Sequence, residues 1–94
     1  MKFPVFLHAR ADESLKKLDK KIKERVTEKI RTLESAPQQK GERLRPSDYY
    51  KLRVGDYRVI YEIWHNEQKV VVLFIGHRSK VYDDFNKLSK PGVH

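Results

Sequence analysis

The apolar residues of this chain keep two different periods, and the change falls near Tyr49. Before it, Leu15, Leu18, Ile22, Val26, Ile30 and Leu33 recur at steps of three or four, which makes one apolar stripe on a charged helical surface. After it the period is two. Tyr49 to Val54 and Tyr57 to Trp64 are β-rich runs separated only by Gly55-Asp56, the pattern of a hairpin with a type II′ or related turn. A second turn over His65 to Gln68 leads into Lys69 to Gly76, whose nearly continuous apolar character predicts a strand buried on both faces. A helical stripe followed by an antiparallel meander has to bury its apolar faces by laying helices on one side of a sheet, so the class is α+β.

The remaining elements follow from local signals. Phe3 to Leu7 reads as a short strand, and Pro4, which cannot donate to a ladder, suits a strand start or an edge. Asp12 is the expected N-cap of the first helix, and Asp19 can start a second, so residues 13–35 are expected as a helical hairpin. Ser35-Ala36-Pro37 ends that run, because the residue before a proline is pushed out of the α region. Residues 36–47, broken by Pro37, Gly41 and Pro46, are expected to be loop. Residues 79–88 are expected to close the chain as a short helix capped by Ser79, with Val81, Phe85 and Leu88 on one side and a frayed tail over 88–94. The predicted order is an N-terminal strand, a helical hairpin, a three-stranded antiparallel meander and a short C-terminal helix, in a single domain over 1–94.

Composition limits what such a domain can do. Its 94 residues leave no room for two lobes with a cleft between them, and the absence of cysteine excludes thiol nucleophiles, thiolate metal sites and disulfides. No apolar run approaches the ~18–20 residues that span a bilayer, so a soluble, cytoplasmic chain without membrane insertion is expected. With 21 Lys and Arg against 13 Asp and Glu the formal charge is +8, which favours nucleic acid, an acidic protein or an anionic surface as partner. Both signs are mixed around the helical stripe, as on a solvated surface.

The sheet half concentrates its cations. Alternation puts Arg58, Ile60, Glu62 and Trp64 on one face and Tyr57, Val59, Tyr61 and Ile63 on the other. A hairpin about Gly55-Asp56 pairs Val54 with Tyr57 and sets Arg53 opposite Arg58, a repulsive pair unless an anion sits between them. Lys51, Arg53 and Arg58 are interleaved with Tyr49, Tyr50 and Tyr57. His77, Arg78, Lys80 and Tyr82 follow where the chain leaves the buried strand, a place suited to converge on a ligand. Arginine offers a planar fork for phosphate; histidine and tyrosine can stack on a base or move a proton. His8, His65 and His94 keep no metal-ligand spacing with His77, and there is no glycine-rich phosphate loop, Walker lysine or serine nucleophile elbow. No metal and no cofactor are expected.

Two blocks, KLRVGDYRVIYE over 51–62 and GHRSKVY over 76–82, together resemble the RelE/ParE superfamily of type II toxin–antitoxin toxins, and the helical stripe before them fits the family order over about residues 2–88. The resemblance is to the RelE branch. It implies a metal-independent mRNA endonuclease acting in the ribosomal A site, where a 2′-OH attacks the adjacent phosphate to leave a 2′,3′-cyclic phosphate and a 5′-OH. By the same resemblance Arg58 neutralises the scissile phosphate and Arg78 serves the leaving oxygen. Lys51 activates the 2′-OH or stabilises the phosphate, Tyr82 stacks or transfers a proton, and Arg53 contacts phosphate. His77, Lys80 and Tyr49 join as RNA-binding candidates. Where the family has a second lysine two residues before Lys51, this chain has Tyr49, and the link from Arg78 to Tyr82 is shorter than in well-known members. The partners implied are a small acidic RelB-like antitoxin, the ribosome and mRNA. A ParE-like toxin that binds DNA gyrase and a non-catalytic basic RNA-binding module are the alternative readings.

Overall fold

The computed structural model describes residues 2–81. Strand β1 (Val5–Leu7) leads into helices α1 (Ala9–Lys16) and α2 (Lys20–Arg31), a single 3-10 turn (Thr32–Glu34) and a short helix α3 (Pro37–Lys40). Strands β2 (Glu42–Arg43), β3 (Tyr49–Val54), β4 (Tyr57–Trp64) and β5 (Lys69–His77) follow. They form one five-stranded sheet in the order β1-β5-β4-β3-β2. The meander β3-β4-β5 is antiparallel, β1 lies parallel along the outside of β5, and the helices carry the chain from that edge of the sheet to β2 at the other. The expected α+β architecture is therefore present, and Pro4 does precede an edge strand.

The helical hairpin forms as the stripe dictates, breaking at Asp19, which stands at the N-cap position of α2. Its start differs from expectation. Asp12 lies inside the first turn of α1 and pairs with Lys16 at 3.1 Å, whereas His8 caps the helix by accepting the Arg10 amide at Nδ1 (3.2 Å). The reason is the strand: the His8 amide is still held by the Val72 carbonyl (2.8 Å), so its extended backbone is already in the geometry an N-cap needs.

Residues 36–47 are also more ordered than a plain loop. Ala36 adopts a left-handed conformation (φ 49°), and Pro37 then occupies the first turn of α3, where its missing N–H costs nothing. Glu42 and Arg43 pair with Lys51 and Tyr50 as β2. Two polar residues carry no alternation signal, so this strand owes its existence to backbone pairing.

One face of the sheet meets the helices. Ala11, Val26, Ile30 and Leu33 pack on Leu52, Val54, Val59, Tyr61, Val70, Val72 and Ile75. A smaller cluster of Ile60, Phe74 and Val81 lies apart from that core. The β5 run is thus buried unevenly, since Val71 and Leu73 are only half-buried, and a register shift beside Ile60/Tyr61 divides its side chains between the two clusters. Tyr61 is fully buried, and its phenol donates to the Pro37 carbonyl at 2.7 Å. Burial first, and Tyr50 beside it second, raise the phenol well above its ordinary pKa, so it remains a neutral donor. Tyr61→Phe leaves the Pro37 carbonyl without that donor and should cost about 1–3 kcal/mol, read as a lowered urea midpoint at unchanged slope. An unchanged midpoint would show that another donor replaces the phenol.

Candidate functional site

The site begins with a turn. Gly55 has φ 59°, while Asp56 does not take positive φ, the pattern that a type II′ hairpin requires. This turn fixes the register Val54↔Tyr57, Arg53↔Arg58, Lys51↔Ile60 and Tyr49↔Glu62, as the sequence predicts. Tyr49, Lys51, Arg53 and Arg58 therefore share the sheet face away from the main core.

Arg58 is only 6% exposed. Its Nη1 donates to the carbonyls of Gly55 (2.8 Å) and Tyr57 (2.9 Å), and it has no carboxylate partner among the described residues. Withdrawing a cation from water costs several kcal/mol, and two neutral carbonyls offset only part of it. The opposed Arg53 adds like-charge repulsion. An anion lodged here would relieve both. Opposite Arg58 on β5 stands Gly76, and Val81 packs beside it, 3.5 Å from where a Cβ would stand.

The other candidates divide. Arg78 is exposed, and its amide donates to the Asp56 carbonyl (2.8 Å), which ties its segment to the same turn that holds Arg58. Lys80 is exposed in the turn that follows, its amide donating to the His77 carbonyl (2.9 Å). Lys51 forms an ion pair with Glu42 at 2.9 Å. Tyr49 is half-buried against the Ile60–Phe74–Val81 cluster.

His77 does not join the face of Arg58. It stands opposite Tyr57, edge-on to that ring at 5.5 Å, on the helix-facing side. The Ser79 amide and hydroxyl both meet its Nδ1, at 3.2 and 2.9 Å. Tyr82 and nearly all of the expected C-terminal helix lie outside the described residues. Sequence reasoning missed Arg10, whose guanidinium lies 5.8 Å over the Phe74 ring. It comes from α1, and only the β1–β5 pairing brings it there.

Sheet, helices and buried arginine together define a small α+β protein with a cationic sheet face. Residues 5–82 match the sequence model of the family described as the ParE toxin of type II toxin–antitoxin system. A protein of Methanocaldococcus jannaschii named as a RelE1 toxin is 32% identical over 87 residues, which span 87% of this chain and 97% of that one. Among solved structures, the RelBE2 toxin–antitoxin complex of Mycobacterium tuberculosis contains a chain with 30% identity and a TM-score of 0.77, covering 83% of this chain and all 100% of that one. A free Escherichia coli RelE toxin bearing two arginine-to-alanine substitutions matches with 26% identity and a TM-score of 0.78, over 96% of this chain and 100% of that one. The chain belongs to the RelE/ParE superfamily of toxins from type II toxin–antitoxin systems.

The Glu42–Lys51 pair has a readable titration. Hydrogen bonding and charge attraction from Lys51, with a smaller pull from Arg53, hold the Glu42 carboxyl below its usual 4.5. A depressed carboxylate pKa stabilises the fold above the unfolded value, and that contribution fades as pH falls through the folded value. The Glu42 carboxyl should therefore titrate by NMR below an ordinary glutamate, and Lys51→Met should return it toward 4.5. No movement on substitution would show that the ion pair is not formed in solution.

Proposed function

We propose that this protein is a ribosome-dependent mRNA endonuclease, the toxin half of a type II toxin–antitoxin pair. The observation that carries the reading is Arg58, a buried guanidinium lacking a carboxylate partner among the described residues and opposed by Arg53. A phosphodiester supplies the missing charge and the geometry that a guanidinium fork binds well. In the proposed reaction the message's 2′-OH attacks its own 3′ phosphate. The bond to the 5′ oxygen breaks, a 2′,3′-cyclic phosphate forms, and the proton that the 2′-OH releases to solvent is matched by one that the departing oxygen takes up to become a 5′-OH. Arg58 neutralises the charge that builds on the phosphate oxygens, and Arg78 steadies the leaving oxygen. Lys51 stabilises the ionising 2′-OH once the RNA competes with Glu42 for its ammonium. Tyr82 belongs to the same proposal as a stacking or proton-transfer group.

These cationic groups gain rate mainly by charge stabilisation and orientation, so the ribosome has to present the RNA in a reactive conformation. The purified protein should cut mRNA on programmed ribosomes and leave free RNA nearly intact. Arg58→Ala and Arg78→Ala should each lower single-turnover cleavage by about 10²–10³ at near-constant ribosome affinity, with Lys51→Ala a smaller version. A fall in affinity alone would assign these residues to docking.

The match to a ParE toxin family favours one second reading, in which the same basic face binds DNA gyrase. Inhibition of gyrase supercoiling without any ribosomal cleavage would establish it. Structures of relatives described as RelBE2, RelE–RelB and RelBE complexes support an antitoxin partner. We expect a small acidic RelB-like chain in a hetero-oligomer with this one. Co-expression with the neighbouring reading frame should rescue growth. If the chain is harmless on induction and no neighbour copurifies with it, the toxin reading fails.

A further inference from the structure

Far from Arg58, the same sheet face carries a second group of side chains. Trp64 at the end of β4 pairs with Lys69 at the start of β5, and Phe6 on β1 lies level with Val71. Phe6 and Trp64 are the large apolar side chains left exposed among the described residues, at 51% and 40%. The Lys69 ammonium sits between them, 5.3 Å from the Phe6 ring centre and 4.5 Å from that of Trp64. The indole N–H donates to the Glu62 carboxylate at 2.9 Å, which satisfies the polar edge of the ring and leaves its apolar surface for a partner.

We propose that Phe6, Lys69 and Trp64 form a stacking platform for an unpaired nucleobase of the message whose phosphate Arg58 holds; this rests on the endonuclease reading above. Three features favour RNA. Aromatic rings beside a cation match the π-face and phosphate that every nucleotide offers together, and such platforms hold single strands without regard to sequence. An apolar protein segment laid here would strip water from the Lys69 ammonium and from the Glu62 carboxylate held on Trp64, a cost that a solvated nucleotide avoids. Position is the third. Six steps along β4 separate Arg58 from Trp64 on one face, about 20 Å at the usual rise, so an RNA strand running along β4 reaches both ends. The platform would then hold the message in register a few nucleotides from the cleaved bond.

Trp64 is the chain's only tryptophan, so its fluorescence reports this contact directly. Titration with a short unstructured oligoribonucleotide should quench it. By anisotropy of a labelled copy, Phe6→Ala and Trp64→Ala should each weaken binding roughly ten-fold, while Trp64→Phe, which keeps a ring, stays near wild type. Lys69→Gln should weaken binding and lower the salt dependence by about one phosphate contact. Circular dichroism of each variant separates lost stacking from lost folding. Saturating RNA without quenching, or equal affinity in the folded alanine variants, overturns the inference. Quenching by a polyglutamate peptide but not by RNA also overturns it and makes the face a protein-docking surface. A protein that cuts on ribosomes while Trp64 ignores RNA overturns the platform alone. One whose Trp64 responds to RNA but which never cuts overturns the endonuclease reading and leaves base stacking in place.

Discussion

The basic face depends on the backbone of a two-residue turn. Gly55 adopts a positive φ that would cost an ordinary residue about 1–2 kcal/mol, and this geometry decides that Arg53 faces Arg58. Its carbonyl then accepts the Arg58 guanidinium, and the Asp56 carbonyl accepts the Arg78 amide. A hairpin with another turn length would shift every cross-strand pair and separate these groups. Carbonyl dipoles can orient a cation but cannot neutralise it. The turn therefore gathers positive charge, and Arg58 meets no carboxylate among the described residues.

The inner face contributes to the outer one through Tyr61. Its phenol clasps the Pro37 carbonyl at the start of α3, and Gly41 at the far end lies so close to the phenol that a side chain there would collide with it. The same added carbon would come 2.7 Å from the Lys51 carbonyl. The next residue is Glu42, the carboxylate that pairs with Lys51. A core tyrosine thus fixes the path of the segment carrying the counter-ion of a candidate site lysine. Burial of the Tyr61 ring, worth roughly 1.5–3 kcal/mol for a large apolar side chain, holds the clasp in place.

Elements made by near neighbours were legible in the sequence. The Gly55-Asp56 hairpin, its register, the helical stripe and the break at Asp19 all arise from local rules, and the structure follows them. Features made by distant pairing were not. His8 caps α1 because β5 holds its amide, β2 exists because β3 offers an edge, and Arg10 reaches Phe74 because α1 follows a strand seated against β5. His77 is an intermediate case. Counting alternation back from Gly76, which stands opposite Arg58, would have put it on the other face; its neighbours in the motif drew it into the cationic group instead. The burial of Arg58 carries no sequence signal, because its pattern is that of any exposed strand cation.

The pairing of β1 with β5 also has a consequence in time. Val5 finds its partner, Val70, only when 65 further residues have been joined to the chain, and the sheet cannot be completed before then. At roughly 5–20 residues per second, the first strand waits about 3–13 s for the last. Contacts of such long range also form late in folding, since their loop entropy is lost before any contact rewards it. A nascent chain therefore completes its sheet only after residue 70 has been joined, although the hairpin carrying Arg53 and Arg58 is local. The first strand to be synthesised is thereby one that cannot be seated in the sheet until the last has been made.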